Sequence, residues 1–276
     1  MKITIEDVLN IPYTKAASII ESFIQEIIEN NNVKGAVIGL SGGIDSSVTL
    51  TLAVNALGKN NITALIMPDT RTTPEEDIRD AIDLAKQLEV EYHLIKIDNI
   101  VDSYSVAPFF VLEEKIPTGN LRARIRMCLL YYYANKHNYI VVGTSDRSEL
   151  LIGYYTKYGD GGVDILPIGC LYKTQVRKLG EYLGLPKKIV TKPSSPALWP
   201  GHLAEKELGL KYEVIDLVLY AIFDLGISPD KVPSYTDVDP DVVIKIMKMH
   251  KSTRHKRIFP AIPKMPWIKN SPIKEL

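Results

Sequence analysis

The 276-residue chain balances 33 Lys plus Arg against 33 Asp plus Glu, so its overall charge gives no pull toward nucleic acid or an anionic membrane. Its two cysteines, Cys128 and Cys170, are too few for a disulfide framework and too far apart to make a zinc site by themselves, and a reducing cytoplasm is expected. No apolar run approaches the ~20 residues of a spanning helix, Met1 to Asn10 lacks the pattern of a signal peptide, and the length suits one domain over residues 1–276.

Thr14 to Asn31 places Ala17, Ile19, Ile20, Phe23, Ile24, Ile27 and Ile28 at helical spacing, which predicts an amphipathic helix packed on a core. Ala36 to Leu40 reads as a short buried strand. Leu40-Ser41-Gly42-Gly43-Ile44-Asp45-Ser46-Ser47 joins it to a helix that begins near Ser46 and continues to Leu57. Ile62 to Met67 gives a second strand ending at Pro68-Asp69, and Thr73-Pro74-Glu75-Glu76 starts a helix with Thr73 as cap and Glu76 placed for a capping box. Tyr92 to Ile97 is a third strand, Leu121 to Lys136 a long helix and Tyr139 to Gly143 a fourth strand. This alternation predicts an α/β fold with a parallel, doubly wound sheet flanked by helices. Ligands in such sheets sit beyond the carboxyl ends of the strands. The loops to inspect are therefore Ser41 to Ser47, Pro68 to Thr73, Asp98 to Ser103 and Thr144 to Glu149. Beyond Gly153 the pattern loosens into Gly, Tyr, Asp and Pro, which reads as lids and site loops, including the proline-rich Lys192 to Gly201; Pro260 to Pro272 reads as an extended tail.

The first loop is a phosphate cradle. Two glycines let backbone N–H groups approach a ligand, the helix behind aims its positive end at an anion, and Ser41, Ser46 and Ser47 add hydroxyls. A carboxylate inside such a cradle repels its ligand unless a cation lies between them, so Asp45 points to Mg²⁺ bridged to phosphate oxygens. A Walker loop would need Lys directly after its last glycine, and a dinucleotide fingerprint would read G-x-G-x-x-G; neither spacing is present. The alternative, a plain helix cap beside a glycine turn, has no use for two glycines, three serines and a carboxylate together.

Gly143-Thr144-Ser145-Asp146-Arg147-Ser148-Glu149 repeats the scheme after the fourth strand, with Glu149 either a second Mg²⁺ ligand or a first-turn acid favoured by the helix dipole. Gly153 to Asp164 interleaves three tyrosines, Lys157, Asp160 and Asp164 with four glycines, a composition suited to close backbone approach and to bordering an aromatic ring. Arg122, Arg124 and Arg126 alternate along the long helix, so they spread around it, some toward solvent carboxylates and one or two toward phosphates. Tyr131-Tyr132-Tyr133 is a packing segment, within the core or against a second subunit.

Ser-Gly-Gly-Ile-Asp-Ser-Ser resembles the pyrophosphate loop of the ATP pyrophosphatases. With Gly119 to Met127, Gly143 to Glu149, Gly153 to Asp164, Leu171 to Arg177, Lys192 to Gly201, Glu205 to Tyr212 and His255-Lys256-Arg257, in this order, the chain resembles the NAD synthetase family over roughly residues 14 to 260. The resemblance implies a Rossmann-type, adenine nucleotide alpha-hydrolase-like fold with mobile C-terminal lid segments. It implies a ligase that makes NAD from deamido-NAD, Mg-ATP and ammonia through an adenylated nicotinate carboxylate. Carried over motif by motif, Gly39, Leu40, Ser41, Gly42, Gly43, Ile44, Asp45, Ser46 and Ser47 hold ATP together with Thr144, Lys173 and Ser195. Asp45 and Glu149 hold Mg²⁺, and Arg124, Lys157, Asp164, His255 and Lys256 hold deamido-NAD. Asp45, Lys173 and Asp160 are the catalytic candidates, Lys173 against phosphate charge and Asp160 near ammonia. No covalent nucleophile is implied, because the substrate's own carboxylate attacks.

Three positions depart from the family pattern: Asp146 where Asn is frequent, Arg122 where Lys or Gln is common, and His202 where many relatives carry Gln. Glutamine-dependent members have an N-terminal amidase domain; only about a dozen residues precede the first predicted helix here, so free ammonia or a separate glutaminase subunit is expected as nitrogen source. Relatives are homodimers, which offers Tyr131 to Tyr133 an interface role. The competing readings are another pyrophosphatase-loop synthetase such as the ATPase part of GMP synthetase, a tRNA-modifying enzyme, which would want a basic extension or catalytic cysteines, and a non-catalytic nucleotide-binding module.

Overall fold

Three short apolar strands form the buried centre of the computed structural model, which describes residues 2–263 and 265–267. In chain order the elements that position the site are α1 (Tyr13–Asn30), β1 (Gly35–Gly39), α2 (Ile44–Leu57), β2 (Ile62–Ile66), α3 (Glu75–Gln87), β3 (Glu91–Leu94), α4 (Asp98–Ser103), α5 (Lys115–His137), β4 (Tyr139–Val142), α6 (Arg147–Ile152), α7 (Lys173–Tyr182), α8 (Ala204–Leu208), α9 (Tyr212–Phe223) and α10 (Pro240–Ser252). The sheet is parallel with order β3-β2-β1-β4, and Val37 sits opposite Thr63 on one side and Val141 on the other. Val142 adds a parallel bridge to Ile165.

Because side chains alternate across a strand, one residue set feeds each face. Ala36, Ile38, Ile62, Ala64, Ile66, Ile140 and Val142 pack with α1 and α2, while Val37, Leu65 and Val141 pack with Ile125, Leu130 and Ala134 of α5. That two-sided burial is why these strands read as continuous apolar runs. Chain order reverses between β1 and β4, so the loops after these strands diverge and leave a crevice between them.

Four expectations need correction. The capping box at α3 is not formed: Pro74 is the N-cap, and the Thr73 hydroxyl is buried with no partner among the described residues, on the cleft side. The long helix begins at Lys115 instead of Leu121, since Pro117 falls in the first turn, where its missing N–H costs nothing. Asp98 to Ser103 is helical, not a loop; Ile97, Ile100 and Val101 turn into the α5-side core, a single turn too short to show periodicity. The half beyond Gly153 is not mainly lids. Helices α9 and α10 bring a second core, in which Ile215, Val218, Leu219, Val243 and Ile246 meet Ile152 and Tyr172, while α7 packs Val176 and Leu179 into the first. The Pro260 to Pro272 tail lies outside the described residues at Lys264 and from Ile268 onward.

Candidate active site

The crevice at the β1/β4 reversal opens into a cleft of about 470 Å³, walled by the Gly39 to Ser46 turn, the Gly143 to Ser145 loop, the Gly153 to Asp160 loop and the 192–199 segment. The turn between β1 and α2 is tightly shaped. Gly42 sits at φ +81, and a Cβ there would fall 2.2 Å from the Asp77 carbonyl oxygen, so no side chain fits. Gly43 is the N-cap of α2, and its carbonyl accepts the hydroxyls of Ser46 and Ser47 at 3.1 and 2.8 Å. The hydroxyls of Ser41 and Ser46 lie 3.0 Å apart. The amides of Ile44, Asp45 and Ser46 have no acceptor among the described residues and line the cleft, which makes the head of α2 an anion seat.

Beneath this seat lies a buried charge cluster. Lys173, fully buried at the start of α7, places Nζ 2.6 Å from Asp45 Oδ2, 2.9 Å from Asp146 Oδ2 and 2.8 Å from Glu149 Oε1. Its ammonium also lies 5.3 Å from the centre of the buried Tyr212 ring. Burial opposes its charge, yet the three carboxylates hold Lys173 well above the ordinary ammonium range. Burial, joined by mutual repulsion, pushes Asp146 and Glu149 upward. One ammonium among three carboxylates leaves the site short of positive charge, and Asp45 Oδ1 is buried without a hydrogen-bond partner. Hard carboxylate oxygens with an orphaned lone pair beside an anion seat suit a hard cation such as Mg²⁺, which Asp45 and Glu149 could hold. Asp146 also caps α6 by accepting from Glu149 N at 2.8 Å.

The cluster is held from behind by α9. Asp216, buried, accepts from Ser148 Oγ at 2.5 Å and from Thr174 N at 2.8 Å, and Ser148 Oγ in turn accepts Lys173 N at 2.9 Å. Burial raises Asp216 to about 7.

The sequence-derived site residues separate into groups. Gly39, Leu40, Ser41, Gly43, Ile44, Asp45, Ser46, Thr144, Glu149, Asp160, Ser195 and Lys256 border the cleft. Gly42 and Ser47 shape the turn behind it, and Lys173 lies under the floor with its ammonium engaged by carboxylates. Asp160 is exposed, faces the cleft and accepts Thr156 N at 2.9 Å. Lys256 Nζ donates to the Gly153 and Tyr155 carbonyls at 2.6 Å each. Arg124, Lys157 and Asp164 lie outside the cleft wall. Arg124 donates to the Lys157 carbonyl at 3.4 Å, and Asp164 accepts Tyr131 OH at 2.9 Å and Val141 N at 2.7 Å. His255 is exposed on the turn after α10.

Three further residues shape the cleft without having been assigned a site role from the sequence. Lys192 bonds Asp77 and Asp80 at 2.6 Å each and reaches the Gly42 carbonyl at 3.3 Å, pinning both the cradle and the start of the proline-rich segment. Arg122 pairs with buried Asp69 at 2.6 Å and donates to the Leu198 carbonyl at 3.0 Å. Arg126 borders the cleft, donates to the Met67 carbonyl at 2.9 Å, and is lowered to about 10 by burial, still a cation at neutral pH. Of the three arginines the sequence marked along this helix, spacing alone did not say that Arg126 is the one bordering the cleft; Lys192 carries no local signal.

Comparison with known proteins places the whole chain in one family. A profile described as NAD synthase matches residues 16–260. A protein named NH(3)-dependent NAD(+) synthetase from Staphylothermus marinus is 67% identical over 276 residues, covering 100% of both chains. One of the same name from Hyperthermus butylicus is 53% identical over 263 residues, 95% of each chain. Among solved structures, an NMN synthetase from Francisella tularensis superposes with TM-score 0.81 at 35% identity, covering 93% of this chain and 100% of that one. An NH3-dependent NAD synthetase from Campylobacter jejuni gives TM-score 0.77 at 32% identity, covering 92% of this chain and 100% of that one.

Gly42→Ala is expected to destabilise the fold by about 1–3 kcal/mol and to weaken ATP binding, read by thermal unfolding and equilibrium titration. Asp216 should give a pH signature. Its folded-state value lies above that of an unfolded carboxyl, so the folded chain binds more protons and stability falls as pH rises from about 4 to about 7. Asp216→Asn should flatten that part of a melting-temperature profile; an unchanged slope would exclude Asp216 as its source.

Proposed function

This chain belongs to the NAD synthase family, and we infer that it is an ammonia-dependent NAD synthetase, a ligase that forms the amide of NAD from deamido-NAD, ATP and ammonia. The observation that carries the assignment of the site is the meeting of the α2 amide seat with the Asp45 and Glu149 carboxylates in one cleft. A free carboxylate resists ammonia because its oxygen leaves poorly. In our reading a nicotinate oxygen bonds to the α-phosphorus of ATP as the bond to the β-phosphate oxygen breaks, and pyrophosphate departs. Ammonia then adds to the activated carbonyl carbon, the carbon–oxygen bond to AMP breaks, and the nitrogen sheds a proton. Catalysis of the first step is positioning and charge neutralisation.

The seat at Ile44, Asp45 and Ser46 receives phosphate oxygens, and Arg126 offers a further positive charge from the opposite wall. Mg²⁺, held by Asp45 and Glu149, would neutralise phosphate charge. Lys173 keeps these two carboxylates gathered on one side of the cleft and its fixed charge lowers the repulsion that a polyphosphate meets there. Asp160 is our candidate for taking the proton from the nitrogen donor, because its carboxylate faces the cleft.

We further propose a homodimer that works in the cytoplasm. Arg124, Cys128, Tyr131 and Tyr132 follow one another along α5 at helical spacing, Tyr132 is 72% exposed, and the neighbouring Tyr158 is 53% exposed. A second copy covering this face would bury both rings and bring Arg124, Lys157 and Asp164 to a boundary where the far end of the dinucleotide can lie. Both cysteines are free and exposed, as a reducing compartment allows, and no helix among the described residues is long and apolar enough to cross a membrane.

The test is product formation from Mg-ATP with ammonium or glutamine as donor and deamido-NAD, nicotinic acid mononucleotide or xanthosine monophosphate as acceptor. NAD and stoichiometric pyrophosphate with ammonium and deamido-NAD are expected. A preference for the mononucleotide would instead place the chain with its NMN synthetase neighbour, and product independent of ammonium would sink the reading. Asp160→Asn should lower kcat/KM for ammonium about tenfold to a hundredfold while leaving ATP binding intact; an unchanged ammonium dependence removes Asp160 from proton transfer.

A further inference from the structure

One cluster on the cleft wall is left unused by the phosphate chemistry. His202 is 4% exposed, and its ring stacks on Trp199 with centroids 3.4 Å apart and planes 14° from parallel. Its Nε2 lies 2.7 Å from Glu207 Oε2, and the same oxygen accepts the Tyr154 hydroxyl at 2.6 Å. One carboxylate oxygen facing both groups places the imidazole proton on Nε2. Nδ1 is buried with no partner among the described residues. The backbone of His202 grips the same segment from the other side: its carbonyl accepts the Ser195 hydroxyl, and its N–H donates to the Trp199 carbonyl at 3.2 Å.

The segment so held is under restraint elsewhere. Ala197 sits at φ +48, a left-handed conformation that residues with a Cβ adopt only when their surroundings impose it. Its N–H donates to Ser195 Oγ at 3.2 Å, so the hydroxyl that engages His202 also shapes this turn. Lys192 and the Arg122 contact to Leu198 fasten the segment to the sheet half, whereas Glu207 belongs to α8, whose Ala204 and Leu208 are buried in the second core.

We propose that His202 is a positioning residue that latches the 192–201 segment over the nucleotide, joining it to the second core through the Trp199 stack above and Glu207 and Tyr154 below. The proposal rests on reading Ser195 and this cleft as the ATP site. It is particular to this chain's residues: a glutamine at position 202 could still donate to Glu207 but would give Trp199 no ring to stack on. Latching acts on nucleotide retention and leaves the chemical step alone.

The test uses the full-length enzyme carrying Trp267→Phe, so that Trp199 is the sole tryptophan. In that background His202→Ala should shift Trp199 emission to longer wavelength in the substrate-free protein. It should weaken ATP, by equilibrium titration and by KM, about three- to tenfold, the span of one aromatic stack. Both kcat and KM for deamido-NAD should stay within about twofold. His202→Gln should recover part of the ATP affinity and keep the altered emission. Unaltered emission overturns the stack; altered emission with unaltered ATP affinity, or equal weakening of every substrate, overturns the latch. Should His202→Ala fail to fold, Trp199→Ala removes the stack from the segment's side, and unchanged ATP affinity in that variant overturns the proposal. Emission and ATP titration need no turnover, so a protein that makes no NAD yet passes both defeats the proposed function and leaves the latch standing.

Discussion

A buried ammonium facing three carboxylates is the interaction on which the rest of the site depends. Lys173 has no contact with solvent, and an isolated charge there would be driven to neutrality by desolvation. It stays charged because Asp45, Asp146 and Glu149 come to it from the head of α2, the cap of α6 and the first turn of α6. Removing one partner from such a buried arrangement costs about 3–5 kcal/mol, so the geometry tolerates little drift. The cluster also spans the two cores. Asp216 on α9 belongs to the helical half, yet through Ser148 and Thr174 it fixes where α7 begins, and therefore where the ammonium points.

The parallel sheet supplies the complementary constraint. With order β3-β2-β1-β4, the chain leaves β1 and β4 in divergent directions, and the two outgoing loops face each other across the crevice. The helix heads after those strands both begin beside the cleft, which sets the positive end of α2 opposite the carboxylate-bearing start of α6. In the function we propose, polyphosphate and divalent cation would find adjoining seats here. The 192–201 segment completes the enclosure by tethers to both halves, Lys192 and Arg122 on one side and His202 on the other.

Much of this was readable in advance, for stateable reasons. Buried strands in a two-sided sheet are nearly uniform in apolar residues, so β1, β2 and β4 announced themselves to within a residue or so, and Ser41 to Ser47 carries its chemistry locally. What escaped depends on tertiary partners. Thr73 is a good cap by local rules, yet Pro74 takes the cap position and the Thr73 hydroxyl is buried with no partner among the described residues. Pro117 and Gly119 look like breakers, but one falls in a first turn and the other lies where Leu198 packs closely. Glycine and proline density after Gly153 hid helices whose apolar faces, such as Ile215, Val218 and Leu219, bury against each other. Lys192 could not be found at all from its neighbours, since Asp77 and Asp80 are more than a hundred residues away in the chain.

Charge in the cleft supports our proposal that the nucleotide arrives with its own cation. Lys173 is engaged by three carboxylates, Lys192 by Asp77 and Asp80, and Lys256 by two backbone carbonyls. Each of these ammonium groups already has its hydrogen bonds, and turning one toward phosphate would leave a buried acceptor unmatched. Arg126 has no carboxylate partner among the described residues, but a single guanidinium does not balance a triphosphate flanked by Asp45, Glu149 and Asp160. The protein cations therefore act as fixed structure that holds carboxylates in place, and in the reaction we propose the neutralising charge would come in with the ligand. The Oδ1 of Asp45, buried without a hydrogen-bond partner, is the acceptor our proposal assigns to that charge.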